Sequence, residues 1–250
     1  MNSIWISAIG LAGSTLIGAL LGFWIKKIPH KWHDTMMGYC AGVMLAAAII
    51  GLILPAMDGI EGKNWWLILI GVLCGASFLN ILDFFTPHLH TITGLDPEAH
   101  KSNDRLNKVM LFVLAIAIHK LPEGIAAGVG FNAEDISNAW SVTVGLSIQN
   151  VPEAMVIITP LLLSGVSKWR TIGIALFIGL LEIVGIWLGY ALGSISQIML
   201  PIMLAFAGGC MLYVVSDEMI PETHSHGHHK AATYALLLGF MTLLFIENLL

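Results

Sequence analysis

The 250-residue sequence is short of charge: Asp, Glu, Lys and Arg together make up 11% of it, against 57% hydrophobic residues and a mean hydropathy of +0.84. A water-soluble domain carries about 25% charged residues, so that class is excluded and the bilayer becomes the expected solvent. Cysteine is scarce too. Cys40, Cys74 and Cys210 lie in separate apolar stretches without paired spacing, which excludes a disulfide framework and a thiolate zinc site and leaves them as expected packing residues. The chain contains no His-Glu-x-x-His, no Gly-x-Ser-x-Gly and no glycine-rich phosphate loop, so no enzyme class is signalled. No basic residue precedes the first apolar run, 4–25, and no small-residue cleavage site follows it. A removable signal peptide is therefore not expected there.

What the sequence does have is apolar runs of about 20 residues, each long enough to cross about 30 Å of hydrocarbon at about 1.5 Å per residue. Their lengths and the breaker residues between them predict helices near 3–25, 35–56, 65–86, 108–130, 137–163, 170–193, 198–220 and 231–249. The expected fold is an all-α membrane protein, one polytopic domain of eight transmembrane helices with no soluble domain left over. The few cations orient it. Lys26, Lys27 and Lys31 fall between helices 1 and 2, Lys101, Arg105 and Lys108 between 3 and 4, Lys168 and Arg170 between 5 and 6, and Lys230 between 7 and 8. The other face has only Lys63, so the positive-inside rule predicts both termini outside. Glycines four apart recur at Gly18 and Gly22, Gly38 and Gly42, Gly71 and Gly75, Gly124 and Gly128, and Gly185, Gly189 and Gly193, which predicts close helix packing.

Ionisable residues inside such helices cost about 2.5 to 3.5 kcal/mol each, so a cluster of them calls for a partner or a function. Helix 4 reads His119-Lys120-Leu121-Pro122-Glu123-Gly124 and helix 5 reads Gln149-Asn150-Val151-Pro152-Glu153-Ala154. They are one motif written twice. In each copy the ligand-type residue and the glutamate are four apart, on one helix face. Each proline withholds a backbone N–H, freeing the carbonyls of Ile118 and Ile148 and favouring a kink. With Glu182 of helix 6, His119, Glu123, Gln149 and Glu153 are expected to meet near the midplane, a nitrogen and oxygen donor set suited to zinc or a neighbouring divalent metal. The same residues also admit a buried network in which Lys120 pairs with the glutamates and no ion binds. An intramembrane metallohydrolase, a metal sensor and an exporter are further readings of such a site.

At these residues the sequence resembles the ZIP (Zrt/Irt-like protein) family of metal transporters, prokaryotic type, whose fourth and fifth helices carry a His-Asn-x-x-Glu-Gly type motif and a related Pro-Glu motif. The resemblance implies import of a divalent metal, zinc or alternatively cadmium, iron, manganese or cobalt, across the cell membrane. It implies a primary site of His119, Glu123, Gln149 and Glu153, with Met44 of helix 2 as an additional contact. In relatives a second metal shares the glutamates and uses the residue after each ligand together with a helix 6 carboxylate, here Lys120, Asn150 and Glu182. An ammonium at Lys120 takes the place of a ligand, so one metal is expected, with Lys120 replacing the second. The family also implies a homodimer in which helices 1, 4, 5 and 6 move as a carrier against helices 2, 3, 7 and 8. No resident cofactor and no nucleic-acid partner are expected. Asp58 and Glu247 are candidate entrance residues. Asp217 and Glu218 at the end of helix 7, then Glu222, His224, His226, His228 and His229, are candidate exit residues, with Asp83, His88 and His90 weaker ones.

Overall fold

A computed structural model describes residues 2–25, 28–60, 62–92, 117, 119–163, 165–196 and 198–250, with side chains at 62, 63, 83–92 and 160 left aside. The regular structure of the described residues is all helical, without strands. In chain order they form α1 (Asn2–Trp24), α2 (His30–Asp58), α3 (Trp66–Ile92), α4 (119–129), α5 (Ser137–Leu163), α6 (Lys168–Gly193), α7 (Met199–His224) and α8 (His229–Leu249). Among the described residues, α1, α2, α5, α6, α7 and α8 are long and apolar enough to cross a bilayer. The expected positions of Lys26, Lys27, Lys101, Arg105, Lys108 and Ile118, and the side chains of Lys63, Asp83, His88 and His90, lie outside the described residues.

Three helix ends differ from expectation. The second helix begins at His30 rather than near residue 35, because Pro29 fixes its start and the polar His-Lys-Trp-His-Asp run continues the helix outside the apolar stretch. α3 runs to Ile92. The seventh helix runs to His224, so Asp217 and Glu218 lie inside it rather than at its end. Wide π-type turns interrupt two helices, Ala47–Ile53 in α2 and Val215–Met219 in α7. Each is followed by a proline, Pro55 or Pro221. Proline has no N–H and its ring crowds the carbonyl four residues back, and the widened turn relieves that crowding. The backbone stays helical through Pro122 and Pro152.

α1 packs on α5 and α6, α2 on α8 and α5, and α3 on α7. The glycine pairs set these approaches. A Cβ at Gly18 or Gly22 would meet α5, at Gly38 or Gly42 α8, at Gly71 or Gly75 α7, at Gly124 or Gly128 α6, and at Gly185 or Gly189 α4. Backbone lies directly on backbone at most of these points, where only a hydrogen side chain fits. Large apolar side chains such as Trp5, Ile9, Phe177, Leu180 and Phe245 point outward, as expected where lipid is the neighbour. Cys40 and Cys210 are buried, each sulfhydryl donating to a backbone carbonyl, of Gln149 at 3.5 Å and Gly75 at 3.3 Å. Cys74, expected to pack inside, is exposed on α3. At the start of α5, outside the spans, the Ser137 backbone N–H holds the Asp135 carboxyl below the usual carboxylate range.

Candidate metal centre

α4 and α5 bring their two motif copies face to face. Lys120, at 1% exposure, is among the most completely buried side chains in the structure. Its ammonium donates to Glu123 Oε2 at 2.7 Å, Glu153 Oε2 at 2.6 Å and Asn150 Oδ1 at 2.8 Å, and lies 3.5 Å from Glu182 Oε1. An ammonium has three protons to donate, so this arrangement uses its whole capacity. The i,i+3 spacing of Lys120 and Glu123 stacks them on one face of α4, while α5 supplies Asn150 and Glu153 from the other side.

The carboxylates are held from behind as well. Asn150 Nδ2 donates to Glu182 Oε1 at 2.7 Å, and Thr15 of α1 donates its hydroxyl to Glu182 Oε2 at 2.9 Å. Gln149 Nε2 donates to Glu123 Oε1 at 3.3 Å, while Gln149 Oε1 is buried with no hydrogen-bond partner among the described residues. A buried acceptor left bare costs about 1–3 kcal/mol, and an amide oxygen in that condition is well matched to a cation. Replacing Thr15 with valine keeps the shape and removes the hydroxyl, exposing one Glu182 oxygen to an apolar wall. The expected cost is about 1–3 kcal/mol, read as a lower thermal midpoint of the solubilised protein, and an unchanged midpoint would show that Thr15 does not support Glu182.

His119 faces a different neighbour. Its Nε2 lies 2.8 Å from Glu218 Oε1 on the π-type turn of α7. His119 and Glu153 line a cavity of about 380 Å3 together with Asp217, Glu218 and Glu222, and Met37 of α2 closes one wall. The widened turn rotates Asp217 and Glu218 onto this wall. Of the expected site residues, Glu123, Gln149, Asn150, Glu153, Glu182 and Lys120 are gathered in one cluster, and His119 joins it from the cavity side. Met44 is buried in the apolar core of α2. Asp58 is exposed at the end of α2, and Glu247 is half-buried near the end of α8, its Oε2 without a partner among the described residues. His224 stacks on His229, with centroids 5.2 Å apart, and His228 precedes α8 as its N-cap.

Three residues escaped the sequence reading. Thr15 is one polar residue in an apolar run, and nothing in the one-dimensional pattern distinguishes it from Ser14, whose hydroxyl returns to the Leu11 carbonyl at 2.7 Å. Asp34 and His33, on the added first turns of α2, meet His226 in space. No spacing rule connects residues about 190 positions apart.

Residues 94–247 match the family model described as ZIP Zinc transporter. The chain is 38% identical to Zinc transporter ZIPB of Bordetella bronchiseptica over 96% of its own length and 80% of that protein. It is 37% identical to Zinc transporter GufA of Myxococcus xanthus over 95% of each. Against Zinc transporter ZupT of Clostridium perfringens the identity is 28%, covering 93% of this chain and 91% of the relative.

Proposed function

Because this chain belongs to the ZIP family of zinc transporters, we propose that it imports zinc into the cytoplasm through a one-ion site on α4 and α5 in which Lys120 replaces a second metal. It is a membrane transporter of divalent metal and not an enzyme. The observation that carries the finer reading is the position of the Lys120 ammonium between Glu123 and Glu153, beside the unpartnered Gln149 oxygen.

Charge balance supports one ion. Glu123, Glu153 and Glu182, ionised, bring three negative charges and Lys120 brings one positive, leaving two for a single divalent cation to neutralise. A second divalent ion would leave a surplus of two positive charges where charge is most expensive. Without metal, Lys120 keeps Glu123 and Glu153 from facing one another bare, so the empty carrier retains a compensated core. The bound ion takes carboxylate oxygens from Lys120, which keeps Asn150 and Glu182 as partners, and His119 and Glu153 border the cavity through which it leaves. Gln149 offers its amide oxygen, and Met44 is a further ligand in this reading.

The cavity wall of Asp217, Glu218 and Glu222 forms the exit, continued by His224, His226, His228 and His229, with Asp58 and Glu247 at the entrance. The basic loops support an exit in the cytoplasm with both termini outside. A label attached at Leu250 that reacts from the cytoplasmic face would overturn that orientation. α1, α4, α5 and α6 move as the carrier against α2, α3, α7 and α8, a division that the packing of α1 on α5 and α6, α2 on α8 and α3 on α7 supports. The protein works in the cell membrane as a homodimer, for which the mass of the complex in nanodiscs is the test. Cadmium, iron, manganese and cobalt are alternative cargoes, since one imidazole, an amide oxygen and carboxylates do not select zinc sharply.

Uptake into proteoliposomes tests the reading. The unmodified protein is expected to accumulate zinc, and His119→Ala and Glu153→Ala to lower the initial rate at least tenfold, with both variants still folded and inserted. Uptake by either variant at the unmodified rate would remove its residue from the path. Peptide cleavage without metal flux would replace transport by hydrolysis.

A further inference from the structure

A second group of metal-ligand side chains stands apart from the α4–α5 cluster. Asp34 lies in the first turns of α2 and is wholly buried. Its Oδ1 is 3.0 Å from His226 Nδ1, on the α7–α8 connection, and 3.5 Å from His33 Nδ1. One donor atom from each of His33, Asp34 and His226 falls within 4.8 Å of the other two, the one such convergence of three among the described residues. Asp34 Oδ2 and His33 Nδ1 are both buried without a hydrogen-bond partner among the described residues. A carboxylate removed from water and satisfied at only one oxygen is costly. A cation at the centre of the three donors would satisfy both orphaned atoms at once.

The surrounding residues hold this arrangement. His30, one turn before Asp34 on the same face of α2, stacks on the His226 ring with centroids 4.3 Å apart and planes 24° from parallel. Gly227 follows His226 at φ +84°, a left-handed turn that returns the chain into α8 while His226 stays against α2. His226 is 31% exposed, so the site is reachable from water. Glu222, which lines the cavity with His119 and Glu153, lies close enough for its charge to be felt at His33.

We propose that His33, Asp34 and His226 form a site for one zinc-class divalent ion at the mouth of the cavity, pinning the α7–α8 connection to α2. Two imidazole nitrogens and one carboxylate oxygen are a zinc ligand set, and three protein ligands leave a fourth position open for water or Glu222. Such an open position suits an ion that exchanges rather than one that is permanent. The site does not depend on the midplane reading, because it shares no residue with it beyond the candidate exit residue His226.

The test is equilibrium dialysis of the full chain in nanodiscs against zinc alone, followed by counting metal per chain. In a Glu123→Gln, Glu153→Gln background that disables the midplane ligands, one zinc per chain is expected to remain. Adding His226→Ala, a loop substitution that leaves the helices intact, is expected to remove it or weaken its Kd at least tenfold. Asp34→Asn, which keeps the shape, is expected to do the same. Combined His224→Ala, His228→Ala and His229→Ala is expected to leave it in place. The proposal is overturned by a background variant that binds no zinc, by zinc that survives His226→Ala, or by zinc lost with His224, His228 and His229 instead. The difference between unmodified protein and background reports separately on the midplane ligands, so failure of one site is distinguishable from failure of the other.

Discussion

Replacing Lys120 with asparagine is expected to raise the zinc content of the purified protein by one ion per chain. The measurement is best made in a His226→Ala background, so that the count refers to the α4–α5 cluster. In the unmodified chain the ammonium sits within 2.8 Å of Glu123, Glu153 and Asn150 and 3.5 Å from Glu182. These are the atoms that would otherwise surround a second cation. Asparagine removes the positive charge and offers a neutral oxygen in its place, converting a repelling centre into a ligand.

A stability signature accompanies the change. With metal stripped by chelator, the variant leaves three buried glutamates without their internal cation, and breaking a buried pair in this way costs about 3–5 kcal/mol. A clear fall in thermal midpoint in chelator is therefore expected, recovered when zinc is added. Two tightly held ions in the unmodified cluster, or a Lys120→Asn protein as stable without metal as with it, would refute the replacement of a metal by Lys120.

Gly185→Val is expected to be strongly disruptive although Gly185 itself offers no ligand atom. A Cβ at Gly185 would overlap the Leu121 carbonyl oxygen and press on Gly124 Cα, and a Cβ at Gly124 would press in return on the Glu182 carbonyl. α4 and α6 thus touch through their backbones next to the residues that carry Lys120, Glu123 and Glu182. Backbone cannot yield as a flexible side chain does, so valine must force the helices apart. Overpacking of this kind costs about 3 kcal/mol. The separation would also draw Glu182 away from Lys120 and Asn150. Loss of folded protein, or folded protein whose zinc uptake falls at least tenfold, is the expected result. Gly173→Val is the matched control, since a Cβ there meets nothing within 4 Å. Equal stability and uptake for the two variants would show that the α4–α6 contact does not position the cluster.

The polar cluster of α4 and α5 was legible because its elements are local: His119 with Glu123, and Gln149 with Glu153, each four apart on a helix. Repetition of that spacing around two prolines is information a single sequence holds. The glycine pairs were legible for the same reason, as periodic small residues on one face. Helix ends were less so. Apolar length locates the hydrocarbon crossing, but α2 and α7 continue as helices beyond it, and no periodicity announces a π-type turn before Pro55 or Pro221.

Taken by itself, the order of amino acids determined the lipid-embedded helical class, the approximate crossings, the family resemblance and the two facing motif copies. These follow from hydrophobicity and from helical periodicity, which act over a few turns. Only the tertiary structure decided that Lys120 spans Glu123, Glu153 and Asn150, that Thr15 braces Glu182, that His119 turns toward Glu218, and that His33 and Asp34 find His226. Apart from Lys120 with Glu123, each of those pairings joins residues on different elements, and which elements touch is settled by packing of glycine faces and by the need to satisfy every buried charge. Spacing along the chain reveals a glycine face but not which helix it meets, nor which buried charges pair across helices.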